Sequence, residues 1–299
     1  MSLFFFNQED KTEDFSLIDE FYSLMNDVDC NAYGIVDTHN HIHTLGTDSK
    51  IIGRIFEMFA QPVLELIAQK HGLILRTPES QTVYPDFIMM KDESSKEKIA
   101  IDIKTTYIDN EDSSIKFTLG SFASYMRNNI KNIEYKYTDY VKHYVIGFIY
   151  KRNGNAQESK VVDYALRHEI VFPYRDVRFF IQEKFKIAGD KPGSGNTENI
   201  GSISSKNIDD FKYGRGPFSI LGADIYDLYW KYYPKYKETI KNYKSLSEFL
   251  TWCPKHIDEL ELLHPFNRDV VLDLISEYIK NDKSDIIFDT SDDESKQEN

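Results

Sequence analysis

Apolar and polar residues alternate along Ile99-Ala100-Ile101-Asp102-Ile103-Lys104-Thr105-Thr106. The period of two predicts a strand that turns Ile101 and Ile103 to one face and Asp102 and Lys104 to the other. A second strand-like run spans residues 82–90 and contains Pro85, which ill suits a central ladder position. Joined through the lysine-rich turn at residues 91–98, the two runs make a hairpin in which Asp86 and Asp102 converge.

Elsewhere the pattern predicts strand character over residues 33–44 and, after the N-cap cluster Gly46-Thr47-Asp48-Ser49, a helix over residues 51–71. Ile51, Ile55, Phe56, Met58 and Phe59 supply its apolar face, Pro62 predicts a kink or restart, and Gly72 ends it. Residues 117–129 read as a turn and helix, and residues 141–150 and 177–187 as central strands. Residues 188–202 are rich in Gly and Asn and read as an irregular loop. From Ala223 onward the pattern is helical, with Lys231, Lys235, Lys237, Lys241 and Lys244 among tyrosines, either a solvated face or a phosphate clamp. Residues 291–299 read as a disordered acidic tail.

The hairpin carries the chemistry. A Pro-Asp, fifteen intervening residues and an Asp-Ile-Lys place two carboxylates beside an ammonium. Two oxygen ligands suit Mg2+, which takes the rest of its coordination from water and substrate phosphate. Such an ion acidifies water and offsets charge on phosphorus, while the lysine orients the attacking water or stabilises the transition state. Glu57, within the predicted helix, is a third carboxylate within reach or else a solvated position. The pattern thus points to a metal-dependent phosphodiesterase, against a surface hairpin with a charged face.

Charge alone does not suggest DNA, since the chain carries a net −13. The acids are concentrated at the ends: residues 1–38 hold net −8 and residues 280–299 net −4, leaving −1 for the body. A nearly neutral body has room for a basic cleft. No apolar run approaches a membrane span, so a cytoplasmic protein is expected, and the isolated Cys30 and Cys253 read as reduced thiols.

Several separate blocks carry a closer likeness: residues 45–50, 55–57, 99–107, 115–120, 127–129, 187–190, 193–197 and 199–202. Together, from about residue 34 to 252, the chain resembles the EcoRV family of type II restriction endonucleases. The resemblance implies an α/β restriction-endonuclease core, a mixed sheet flanked by helices, in a U-shaped homodimer. It implies a catalytic and DNA-binding domain over 34–253; the charge count sets an acidic segment over residues 1–33 before it, and beyond Trp252, where the resemblance ends, the pattern leaves a helical extension with an acidic tail over 254–299. Asp86 and Asp102 would match the metal ligands, Lys104 the catalytic lysine, and Glu57 an auxiliary acid and ligand. Gly193, Ser194, Gly195, Asn196 and Thr197 would match the loop that reads the major groove, with Asn199, Thr105 and Thr106 among the DNA contacts. Gln81 would face the minor groove and Lys50 would support the active site. The implied cofactor is Mg2+, with Mn2+ substituting. The implied partners are double-stranded DNA, a second subunit and a cognate methyltransferase, and the implied site is GATATC, cut bluntly. Thr82 and Val83 stand where that family has Asn and His, and Glu198 replaces a Thr.

Two other readings compete. Asp37-Thr38-His39-Asn40-His41-Ile42-His43 carries a His-x-His of the kind that holds a metal in amidohydrolase-like barrels, but such a barrel needs eight strand-helix units. A catalytically inactive DNA-binding protein would have no use for a carboxylate pair beside phosphate.

Overall fold

A computed structural model describes residues 16–80, 82–193, 198–235, 237–239, 241–263 and 266–289. Ser16 caps helix α1 (Leu17–Met25), which buries Leu17, Phe21 and Met25. The stretch read as one strand is a hairpin, β1 (Gly34–Val36) and β2 (His41–Thr44), with Asn40 at φ +62 in its turn. Asp48 then caps α2 (Ser49–Lys70), accepting from the amides of Lys50 and Ile51. Of the kink or restart expected at Pro62, no restart occurs, for α2 runs through it as one element. Proline removes the hydrogen bond to the carbonyl of Met58, on a face where Met58 is 61% exposed and the carbonyl is open to solvent rather than enclosed in the core.

Strands β3 (Ile74–Arg76), β4 (Phe87–Met90) and β5 (Lys98–Tyr107) follow, then β6 (Thr118–Ser121), β7 (Tyr140–Arg152), β8 (Val161–Asp163) and β9 (Tyr174–Glu183). Five of them form the central sheet in the order β3-β4-β5-β7-β9. Its pairs are antiparallel except β5 with β7, which run parallel, so the sheet is mixed. The predicted hairpin is present, with Phe87 opposite Ile101 and Met89 opposite Ile99. Residues 82–86 lie outside the strand, the Tyr84–Pro85 peptide being cis.

Alternation sorts the two cores. Phe87, Met89, Ile101 and Ile103 pack with α1 and α2 on one face, and Ile88, Met90, Ala100 and Val145 pack on the other.

Three further expectations are corrected. Residues 117–129 hold β6 and a π-helical turn, Phe122–Met126, rather than a helix, because β6 is claimed by strand pairing. After β9 the chain leaves the sheet in the single turn α3 (Lys184–Ile187). The glycine-rich stretch is itself a hairpin, β10 (Ala188–Pro192) with β11 (Asn199–Ser202), and β11 pairs with β6. Its glycines permit close approach rather than irregularity: a Cβ on Gly201 would stand 2.6 Å from the Lys191 carbonyl.

Beyond lie α4 (Asp209–Lys212), α5 (Phe218–Tyr232), α6 (Leu246–Trp252), α7 (Ile257–Leu263) and α8 (Arg268–Asp289). Lys231 is helical, but Lys235, Lys237, Lys241 and Lys244 fall between α5 and α6 instead of on a continuous helix. Ile257 and Leu260 of α7 and Val271 and Ile275 of α8 are buried in the same core as α5. No helix among the described residues is long and apolar enough to cross a membrane.

Candidate active site

The hairpin brings the predicted carboxylates together from two strands. Asp86 stands at the foot of β4 and its Oδ2 accepts the backbone N–H of Ile103 at 2.6 Å. Asp102 projects from β5 to the face opposite Ile101 and Ile103 and is 4% exposed. Lys104, two residues on, places its Nζ 2.7 Å from Asp102 Oδ2. That oxygen is buried and accepts no hydrogen bond of proper angle, so its compensation is ionic.

Burial raises the pKa of Asp86 to about 7, and the charge of Asp102 pushes the same way against Lys104 and the Ile103 amide. Burial also pushes Asp102 up, but Lys104 and Lys184 outweigh it and hold its carboxyl below the usual value. Burial would lower Lys104; the charges of Asp102 and Asp86 win and raise it. The two carboxyls are thus pushed in opposite directions, Asp102 toward its charged form and Asp86 toward its protonated one.

The donor set fits a hard divalent cation. Two carboxylates converge, one with an oxygen lacking a hydrogen bond and the other raised by its neighbour's charge, a repulsion that a divalent cation relieves. Glu57 is near enough to raise both Asp86 and Lys104 electrostatically, but its carboxylate is engaged by Arg54. No group of three or more His, Cys, Asp or Glu residues among the described residues is placed to hold a metal by itself.

A cleft of about 690 Å³ begins at this site. It is lined by Lys104, Thr105, Thr106, Lys116, Lys191 and Gly193, with no acidic residue among the described residues that line it. A basic groove therefore exists on a chain of net −13, because its acids lie elsewhere. Gly193 and Asn199 face each other at the end of the β10-β11 hairpin, where the Gly193 amide donates to the Asn199 carbonyl at 2.8 Å. Ser194, Gly195, Asn196 and Thr197 lie outside the described residues, as does Gln81. The carbonyl of Glu198 is fixed by the amide of Phe122 and the hydroxyl of Ser121. Lys50 sits exposed in the first turn of α2 and makes no ion pair among the described residues.

These features find a counterpart in known proteins. The sequence profile of the family described as restriction endonuclease EcoRV matches residues 26–254. The chain belongs to the EcoRV family of restriction endonucleases. The type II restriction enzyme EcoRV of Escherichia coli is 42% identical over 221 residues, 73% of this chain and 89% of that protein. The NlaIV restriction endonuclease is similar over 79% of this chain and 76% of its own, at 14% identity and a TM-score of 0.31, a likeness too remote to bear on the site. The EcoRV-family match ends at Trp252-Cys253-Pro254, so α7 and α8 lie beyond it.

The histidine cluster does not form a second centre. Asp37 accepts from the amides of His39 and His41, and its Oδ2 lies 3.1 Å from His43 Nε2 and 3.5 Å from His41 Nδ1. The other histidines with side-chain partners serve structure: His71 pairs with Glu20, His143 with Tyr84, and His256 with the Trp252 carbonyl. The central sheet is open and five-stranded, which removes the barrel reading.

Sequence reasoning missed Lys184, whose Nζ lies 3.9 Å from Asp102 Oδ2. Lys184 shares the run read as a central strand with three other charged residues, Arg178, Glu183 and Lys186, so nothing in the sequence singled it out.

Proposed function

We propose that this type II restriction endonuclease hydrolyses both strands of a palindromic duplex site in a Mg2+-dependent reaction, with Asp86, Asp102 and Lys104 as its catalytic group. The observation that carries the reading is the convergence of the two carboxylates beside Lys104, which itself lines a basic cleft that leads to the β10-β11 hairpin. Asp86 and Asp102 would hold Mg2+, with Glu57 as an auxiliary acid and Mn2+ as a substitute. The ion would offset charge on the phosphate and make water a stronger nucleophile.

The chain's own residues do the rest. Asp86 must be deprotonated to act, a form that burial and the charge of Asp102 oppose and that a bound divalent cation would favour. Lys104 supplies a positive charge to the phosphate as negative charge grows there in an in-line attack that leaves 5'-phosphate and 3'-hydroxyl ends. Thr105, Thr106 and Lys50 would contact the DNA backbone. Gly193 to Thr197, with Asn199, would read base edges in the major groove, and Gln81 would face the minor groove.

A palindrome calls for a two-fold dimer, and a cognate methyltransferase would protect the host's own sites. The resemblance in the reading loop favours GATATC with a blunt central cut, since a TA step is cheap to kink where contacts are few. Thr82, Val83 and Glu198 are the residues that would retune it. Digestion of a sequenced plasmid followed by end mapping tests all of this. Blunt ends at GATATC are expected; a staggered cut or another palindrome would sink the site assignment, and no cutting with Mg2+ would sink the catalytic one.

A further inference from the structure

Lys184 opens α3 directly after β9 and is 3% exposed. Its ammonium lies 4.0 Å over the ring of Tyr84 and donates to the Tyr125 hydroxyl at 3.4 Å. Tyr84 and Tyr125 stack with centroids 4.4 Å apart, and the Tyr84 hydroxyl is tied to His143 Nδ1 at 2.8 Å. Gly120, at φ +98, leaves the room that the Tyr125 hydroxyl fills, for a Cβ there would stand 2.3 Å from it. A buried lysine without a partner is costly; Asp86 and Asp227 also act on this one, but the carboxylate within 4 Å of it is Asp102.

Two cations therefore address the same oxygen of Asp102, and they differ in freedom. Lys104 has 24% of its side chain exposed and lines the cleft. Lys184 is buried against the rings of Tyr84 and Tyr125 and does not line that cleft.

We propose that Lys184 is a positioning residue that holds the carboxylate of Asp102 from its buried side, leaving Lys104 free to turn from Asp102 to the scissile phosphate. The proposal rests on Asp102 being the catalytic carboxylate assigned above. Removing the Lys184 charge has two opposed consequences. Asp102 is no longer held from behind and Lys104 no longer freed from it, which slows cutting, while the site loses a positive charge that repels a divalent cation and so holds that cation more tightly. A merely loosened fold would weaken both.

The test is single-turnover cleavage by full-length Lys184→Met across a Mg2+ titration. The rate at saturating Mg2+ is expected to drop ~30-fold, on the scale of one electrostatic contact, while half-saturating Mg2+ falls ~3-fold or more. DNA affinity in EDTA should stay within ~2-fold, since no contact to phosphate is removed. A wild-type rate, or an unchanged or higher Mg2+ requirement, overturns the proposal. Should Lys184→Met fail to melt cooperatively, Tyr125→Phe removes only the hydroxyl that steadies the ammonium, and a ~3-fold slower rate is expected from a lost hydrogen bond. A wild-type rate in Tyr125→Phe then overturns it. Asp102→Ala, assayed in parallel, separates the two ideas: if it cuts normally the active-site assignment fails, whereas an inactive Asp102→Ala beside a wild-type-like Lys184→Met defeats the Lys184 role alone.

Discussion

Asp86 Oδ2 accepts the backbone N–H of Ile103 at 2.6 Å, so the foot of β4 is bonded to the residue between Asp102 and Lys104. One hydrogen bond thereby fixes the spacing of all three charged groups, because neighbours on a strand move together.

Each member of that group is expected to be needed for cutting. Asp86→Ala, Asp102→Ala and Lys104→Ala should each lose more than ~100-fold in cleavage rate, the scale of a transition-state electrostatic contact. Circular dichroism should show the fold retained. Wild-type-like cutting by Asp102→Ala in Mg2+ would remove the assignment. Glu57→Ala should be milder, since its carboxylate is shared with Arg54.

The pKa of Asp86, raised to about 7, predicts a pH signature in stability. A carboxyl whose folded value lies above its unfolded one binds its proton more tightly when folded. Its contribution is complete below about pH 4 and is lost as pH rises through about 7. In EDTA, wild type should therefore lose on the order of 2–4 kcal/mol relative to Asp86→Asn between pH 4 and 8. Added Mg2+ should restore stability at the upper end. Parallel melting curves for the two proteins at every pH would contradict the shift.

Histidine substitutions discriminate the remaining hydrolase reading. The His39→Ala, His41→Ala double variant is expected to cut within ~2-fold of wild type, as is usual for surface changes remote from a site. Abolished activity would instead place a metal on the β1-β2 hairpin.

The segment beyond the family match is built into the core, with Val271 fully buried and Ile275 nearly so. Ile275→Ala should cost about 2–4 kcal/mol of unfolding free energy, the range for a truncated core side chain. Removal of residues 287–299 should leave site preference unchanged and speed DNA association at low salt, an effect that fades as the Debye length shortens to about 8 Å. Stopped-flow binding across salt concentrations measures it. A changed site preference at every salt would show direct contact of the tail with DNA.

What the sequence determined by itself was local. The alternation at residues 99–106 set the faces of Ile101, Asp102, Ile103 and Lys104, and the cap at Asp48 set the start of α2, because both depend on neighbours within a few residues. The pairing of the two motif strands followed from the short turn between them. The rest waited for contacts between distant segments. Residues 188–202 became a hairpin because β11 found β6 some eighty residues earlier, overriding a glycine-rich composition that by itself favours loops. The contact of Lys184 with Asp102, where the chain leaves β9 for α3, joins residues eighty-two positions apart that no local pattern can connect. The charge balance at Asp86 and the basic cleft on an acidic protein are of the same kind: burial and convergence decide them, and both are properties of packing.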